Sequence, residues 1–400
     1  MKSGLKHSLK RTIIGISNGL NISSRYFGAP KGWIGAKDWI AKHADMPGAA
    51  FTEVFPGREQ SHGLPVTLDD TVHQIFSNNA NWLQPAAFVA SIPKGRAWGR
   101  NGAVITCDDL LIGDVSREFG KYGGVFNEEH SIFQQVKLAG IRKVNGTVAV
   151  VAAPGSTNYH HWLYDTLPRI GLLKSAGLFD KVDYFVIDYR ELPFQKESLR
   201  AVGIDPARVI ACNDHWKFHI EADLLIVPSL PAQLGTICEW TTQFLRSTFL
   251  KNDHTAPGTN YNIYLSRKKA PTRKLINEGA FFEEVLKPLN FIEFFAEDHS
   301  ISETARYFAN AQHVVGVHGS GFANLVFCSS QTKVIDIVAP RHIDAYYWLL
   351  TDYTASRYGY IFGAGNRAHE QEDLVQNKVD QDIELDISQF KALMQLMQIH

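Results

Sequence analysis

The sequence has no apolar stretch near the ~20 residues that a membrane-spanning helix needs. The apolar run after Arg11, residues 12–16, is too short for the ~7–15-residue core of a secretory signal. Cysteine is scarce: Cys107, Cys212, Cys238 and Cys328 stand far apart, in or beside apolar segments. That spacing gives neither a disulfide framework nor a zinc site, and it fits buried thiols in a reducing compartment. An excess of one charge is missing too. The formal net charge is −1 over 400 residues, so no overall electrostatic reason to bind nucleic acid exists. Lys2, Lys6, Lys10 and Arg11 make the N-terminus locally basic. A solvated terminus accounts for them, with peripheral contact to an anionic membrane as the alternative. No repeat or low-complexity tract is present, and 45% hydrophobic with 20% charged residues is ordinary globular composition. The expectation from these absences is a cytoplasmic globular protein.

A chain of 400 residues exceeds what one hydrophobic core usually organises, so two domains are expected. Residues 1–50 have little periodicity and read as an extension. From 51 to about 145, short apolar segments alternate with Gly and Pro, and 102–114 reads as a hairpin with Asp108 and Asp109 near its turn. The rhythm then changes. Strands are expected at 147–153, 184–187, 208–212 and 224–227, and helices at 159–177, 193–203 and 236–251. Residues 252–260, NDHTAPGTN, are polar or turn-forming throughout and make the best linker, closing a first domain of 51–251.

Beyond it β and α alternate strictly, with strands expected at 261–265, 291–295, 314–317, 334–338 and 358–362. Ser300 with Glu303 forms a capping box that opens one of the intervening helices. This pattern means an α/β domain, 261–387, with a parallel sheet and helices on both faces. Residues 388–400 form a terminal amphipathic helix with Phe390, Leu393, Met394 and Met397 on one stripe. Two such halves are expected to enclose a cleft that binds ligands at the carboxyl ends of the strands.

Three constellations are able to carry chemistry. V-H-G-S-G-F-A-N-L, at 317–325, places Gly319, Ser320 and Gly321 in a strand-to-helix turn. The glycines admit close backbone approach, and the helix start offers free N–H groups to a diphosphate. A tight turn that merely needs glycine is the plain alternative. Y-L-S-R-K-K-A-P-T-R, at 264–273, delivers Arg267, Lys268, Lys269 and Arg273 at the end of a strand. It is either a phosphate site or a solvated basic loop. N-Y-H-H-W-L-Y-D-T-L-P-R, at 158–169, sets His161 and Asp165 four apart, hence on one helical face, with Pro168 expected to kink the helix. The pair suits a general base for a hydroxyl, or a hydrogen bond that only fixes the helix. No third ligand lies near enough in sequence for a metal site. Asp380 and Asp382 form the one Asp-x-Asp match, in a polar stretch read as a solvated loop.

In this order and spacing the three segments resemble glycosyltransferase family 61, which spans plant xylan arabinosyl- and xylosyltransferases, animal O-linked N-acetylglucosaminyltransferases and bacterial capsular-polysaccharide-like proteins. The resemblance also takes in Asn277 and Glu278 after Arg273, and Asp336 on the strand at 334–338. It implies a GT-B fold, two Rossmann-like domains facing a cleft, and inverting, metal-independent transfer with a nucleotide sugar as co-substrate and no further cofactor. By analogy Arg267, Arg273, Gly319, Ser320 and Gly321 hold the donor diphosphate, His318 and Asn324 support that site, and Asp336 binds ribose. Asn158 and Arg169 fall on the acceptor side. Asp165 is the first candidate for the base and His161 the second. The implied acceptor is a glycan or glycolipid of a surface or capsular polysaccharide. A nucleotide-sugar epimerase, or a non-catalytic nucleotide- or glycan-binding protein on the same fold, remains the rival.

Overall fold

The computed structural model describes residues 23–120, 123–232, 236–250, 260–365 and 382–400. The basic residues Lys2 to Arg11, linker residues 252–259, and Asp380 lie outside them. The chain divides into two compact units, Met1–Gly57 with Pro85–Leu234, and Arg58–Gln84 with Gly235–His400. Both are mixed α/β structures.

The first unit is built on one ten-stranded sheet. Its parallel part comprises β1 (Arg142–Val150), β2 (Tyr184–Ile187), β3 (Val209–Ala211) and β4 (His219–Pro228), in the order β4-β1-β2-β3. Residues such as Val148, Ala149 and Val150, and Phe185 to Ile187, are wholly buried. Unbroken apolar runs of this kind are what strands covered on both faces require. The helices α1 (Leu167–Ser175) and α2 (Pro193–Ala201) connect β1 to β2 and β2 to β3. Antiparallel strands extend the sheet beyond β4, among them Ala87–Pro93 and Arg96–Trp98. The expected hairpin is present as Ala103–Ile105 against Leu110–Ile112, with Asp109 in the left-handed region at φ 75.

Residues 23–50 are not an extension. Gly32–Ile34 pairs with Leu110–Ile112, and the helix Ala36–Lys42 seats Trp39 in the main core of the unit at 0% exposure. A three-residue strand and a two-turn helix give too little periodicity to be read in advance.

The second unit carries a five-stranded, wholly parallel sheet. Its strands are β5 (Tyr261–Leu265), β6 (Phe291–Phe294), β7 (Ala311–Val317), β8 (Lys333–Val338) and β9 (Arg357–Phe362), in the order β6-β5-β7-β8-β9. All five expected strands are present, within three residues of their expected ends. α3 (Glu239–Phe249), α4 (Ile301–Ala309), α5 (Tyr346–Tyr353) and α6 (Ile387–Leu396) cover it. The Ser300–Glu303 capping box opens α4, and α6 buries the predicted stripe of Phe390, Leu393, Met394 and Met397.

Two segments expected in the first domain belong to this second unit. One is α3; the other is 58–84, whose Val66 exchanges backbone hydrogen bonds with Tyr358 and Tyr360 at the free edge of β9. Its fully buried Phe76 packs on Trp348 and Tyr360. Covering an edge strand in this way removes a row of unpaired backbone groups. The pairing is long-range, so no local pattern announces it.

Candidate active site

Each unit holds a histidine–aspartate cluster at the carboxyl end of its parallel strands. In the first unit the chain leaves β1 through Ala152, Ala153 and Gly155, and Asn158 caps a new helical turn by accepting from the His160 N–H at 2.9 Å. The turn passes into a π-helical segment, Trp162–Thr166, before α1 begins with Pro168 in its first turn. Proline has no N–H to give and crowds the carbonyl four residues back, so the wider π turn is the form taken by the expected kink. Trp162 anchors it by donating to Ser198 Oγ on α2 at 2.8 Å.

On this turn His161 Nδ1 lies 2.8 Å from Asp165 Oδ2, as the four-residue spacing predicts. The other carboxylate oxygen, Oδ1, accepts from Arg117 Nη2 at 2.7 Å. Burial alone would push the Asp165 carboxyl up, but the Arg117 guanidinium and the His161 hydrogen bond outweigh it and hold the group well below the usual carboxylate range. The His161 side chain keeps 22% exposure, against 12% for Asp165. Phe119, half exposed, stands 5.0 Å from its ring. Room for that ring comes from Gly155, at φ 79, where a Cβ would sit 2.7 Å from His161 Cδ2.

Asn158 is exposed on the rim, whereas Arg169 is not presented to any ligand. Its guanidinium is fully buried and bonded to the Ala152 and Pro228 carbonyls, tying the ends of β1 and β4 together. Burial, then the neighbouring Arg117, push it down to about 9. Sequence reasoning missed Arg117 and Gly155. Neither lies in a recognisable motif, and only the fold brings them to His161.

In the second unit the strand order reverses between β5 and β7, the switch point at which open α/β sheets bind ligands. Both basic and glycine-rich segments sit there. Arg267, just past β5, donates to the backbone carbonyls of Thr272 (3.1 Å) and Arg273 (3.3 Å), and lies so close to Gly319 that a Cβ would collide with its Nη1. The demand for glycine at 319 is one of space and not of conformation, since its backbone is extended at φ 168, and it holds while Arg267 keeps this position. Arg273 occupies the left-handed region at φ 56, and its Nε and Nη1 are buried with no hydrogen-bond partner among the described residues. Ser320 begins a short helix, Ser320–Phe327, and Asn324 closes its first turn by donating to the Gly321 carbonyl at 2.9 Å. Tyr264 and Ser266 both donate to the buried Glu278, at 2.7 and 2.6 Å, which fixes the start of the basic loop.

His318 is buried, and both ring nitrogens face carboxylates: Nδ1 to Asp336 at 2.7 Å and Nε2 to Asp344 at 3.1 Å. Burial opposes its charge, but the two carboxylates dominate and push it up to about 10. Burial, then the His318 charge, drive neighbouring His342 down to about 3. Asp336 is 0% exposed and also accepts from Tyr358 at 2.7 Å, so it seats His318 and does not reach a ribose. Asp344, 28% exposed, is the carboxylate nearest solvent. Among the described residues, His318, His342 and Asp344 are the one group whose donor atoms lie close enough to share a metal ion, within 4.8 Å. As they stand they do not fit one, because a histidine that donates from both nitrogens has no lone pair to offer.

The family model for glycosyltransferase 61 matches residues 159–335. Over those residues the chain is similar to glycosyltransferase family 61. The matched segment contains His161 and Asp165, both arginines of the basic loop and the glycine turn; Arg117, Gly155 and Asp344 lie outside it. No curated protein matches the chain. The match supports glycosyltransferase activity in general, and the two clusters are the places to look for that chemistry. No helix among the described residues is long and apolar enough to cross a membrane.

Proposed function

We propose that this glycosyltransferase binds a nucleotide-sugar donor at the β5/β7 switch point and transfers the sugar, with inversion and without a metal, to a hydroxyl of a glycan acceptor. One observation carries the reading: the Arg273 guanidinium, beside Arg267 and the glycine turn, has two buried nitrogens with no acceptor among the described residues. Buried guanidinium nitrogens left in that state call for an anionic partner, and a diphosphate suits the paired guanidiniums and the helix start. Positive charge held there meets the charge that develops on the departing diphosphate. Arg267 and Arg273 supply it; His318 has both ring nitrogens on carboxylates and does not.

Inversion takes one direct attack. The acceptor oxygen bonds to the anomeric carbon, its proton passes to a base, and the bond to the diphosphate oxygen breaks with its electron pair. His161 is the better base of the two candidates. Asp165 is held ionised and spends its oxygens on Arg117 and His161, which makes it a poor proton acceptor and a good anchor. With Nδ1 engaged, Nε2 of the partly exposed ring is left to take the proton. The GT-B pairing of the two units, and a role in surface or capsular polysaccharide synthesis, are proposed on the family resemblance.

Calorimetric titration with a panel of nucleotide sugars and nucleoside diphosphates, with and without a chelator, tests the donor site. One nucleotide family should bind irrespective of chelator, and at 100 times its dissociation constant should add ~2.7 kcal/mol of stability. Binding of none of them would favour the non-catalytic glycan-binding alternative.

A further inference from the structure

We propose that Arg117 is a positioning residue for the transfer, acting through Asp165 to hold His161 in the tautomer that leaves Nε2 open. This rests on the reading of His161 as the base. Arg117 lies 42 residues before the family-matched segment, and nothing in the motifs points to it. Its side chain is 0% exposed. Nη2 reaches Asp165 Oδ1 at 2.7 Å and Nη1 the Ala232 carbonyl, just past β4, at 2.9 Å. The guanidinium therefore spans from the end of β4 to the π turn and grips the carboxylate from the side opposite His161.

The consequence is chemical. An ionised Asp165 is acceptor-only, so the proton of a neutral His161 must sit on Nδ1 and the lone pair on Nε2. A protonated Asp165 is a donor; it could turn its O–H to Nδ1, which would put the ring proton on Nε2 and disable the base. Burial pushes Asp165 toward that second state, and Arg117 is the strongest influence against it. The other groups facing the pair are His160, 5.3 Å from His161 ring to ring; Phe119, which is uncharged; and Arg169, whose charge also favours the anion. None of them bonds to the Asp165 carboxylate among the described residues. The charge on Arg117 thus decides the proton's place two residues away through a chain of two hydrogen bonds.

The experiment compares Arg117→Gln, Arg117→Lys and His161→Gln in the full chain. Imidazole nitrogen NMR at pH 7.5, with the His161 signal identified by its loss in His161→Gln, reads the tautomer without any substrate. The wild type and Arg117→Lys should carry the proton on Nδ1, and Arg117→Gln should move it wholly or partly to Nε2. Release of nucleoside diphosphate from the nucleotide-sugar panel, with a glycan mixture as acceptor, should fall about 100-fold in Arg117→Gln. Arg117→Lys should recover at least about tenfold of that, with donor affinity unchanged in both. A wild-type tautomer and turnover in Arg117→Gln would overturn the proposal. So would a lysine variant as impaired as the glutamine one, since a merely structural fork needs its geometry and not its charge. If Arg117→Gln does not fold, Arg117→Lys is read against the wild type, and a shifted tautomer with a loss of about 100-fold there overturns the proposal. Full turnover in His161→Gln would instead sink the base reading itself, and the role of Arg117 in transfer with it.

Discussion

Two histidine–aspartate pairs in one chain, built from the same two side chains at nearly the same distance, are prepared for opposite tasks. His161 and His318 each present Nδ1 to an aspartate, at 2.8 and 2.7 Å. The difference lies in what surrounds the pair. Asp165 is shared with a guanidinium, and the second nitrogen of His161 meets no carboxylate among the described residues. Among the described residues Asp336 is shared only with a tyrosine hydroxyl, and the second nitrogen of His318 meets another carboxylate. Extra positive charge holds the carboxylate of the first pair ionised, and extra negative charge holds the histidine of the second as a cation. The residue pair is therefore uninformative by itself; the third and fourth partners assign the role.

The most severe way to break the comparison is to remove the anchor from the first pair. Asp165→Asn keeps the shape and discards the charge, and an asparagine amide can present either its oxygen or its NH2 to Nδ1. We expect a rate loss of ~10²–10⁴ with donor affinity retained, checked by turnover at saturating donor beside calorimetry. Near-normal turnover would mean that Asp165 does no more than hold the helix. The corresponding blow to the second unit is Arg267→Ala. It removes one of the two guanidiniums at the switch point, and donor binding should weaken by ~2–5 kcal/mol. An unchanged dissociation constant would remove Arg267 from the site.

Stability against pH sharpens the contrast with a smaller effect. His318 has a folded value, about 10, above its unfolded value of about 6.5. Its pairing therefore stabilises the fold fully below pH ~6.5, and that contribution is lost as pH rises through about 10. Asp165 runs the other way: its folded value is depressed, so its contribution is present above the unfolded carboxylate range and lost only in strong acid. Thermal melts should show an alkaline decline that His318→Asn flattens, by a few kcal/mol at most in a site this enclosed. An identical decline in the variant would place the alkaline loss elsewhere.

The two regions were also unequally legible. In the second unit each strand is a short apolar run closed by turn residues, and every expected strand is present, because parallel strands buried on both faces write their pattern locally. The glycine turn and basic loop could be paired in advance since both follow strand ends. What stayed hidden there was the edge cover at 58–84, which is far away in sequence. Asp336 could not be told from Asp344 either, since a motif gives residue order and not depth. In the first unit the His161–Asp165 contact follows from helical spacing, but the order of the two as base does not. That depends on Arg117, 48 residues from Asp165 and bonded to it across the unit.

The mildest perturbation asks how exactly the first pair must be placed. Gly155 has φ 79, where side chains are strained, and a Cβ there would press on His161 at 2.7 Å and Phe119 at 3.0 Å. Gly155→Ala should cost on the order of 1 kcal/mol in stability for the backbone alone. Its larger interest is kinetic. The new methyl group pushes the ring, not the carboxylate, so it misplaces Nε2 while leaving Asp165 with Arg117. A loss of about tenfold in turnover, with donor binding and the ionisation of Asp165 intact, would show that His161 works through position. If the stability cost appeared with no kinetic loss, the ring would have room to move, and the base would be less tightly held than its hydrogen bond to Asp165 suggests.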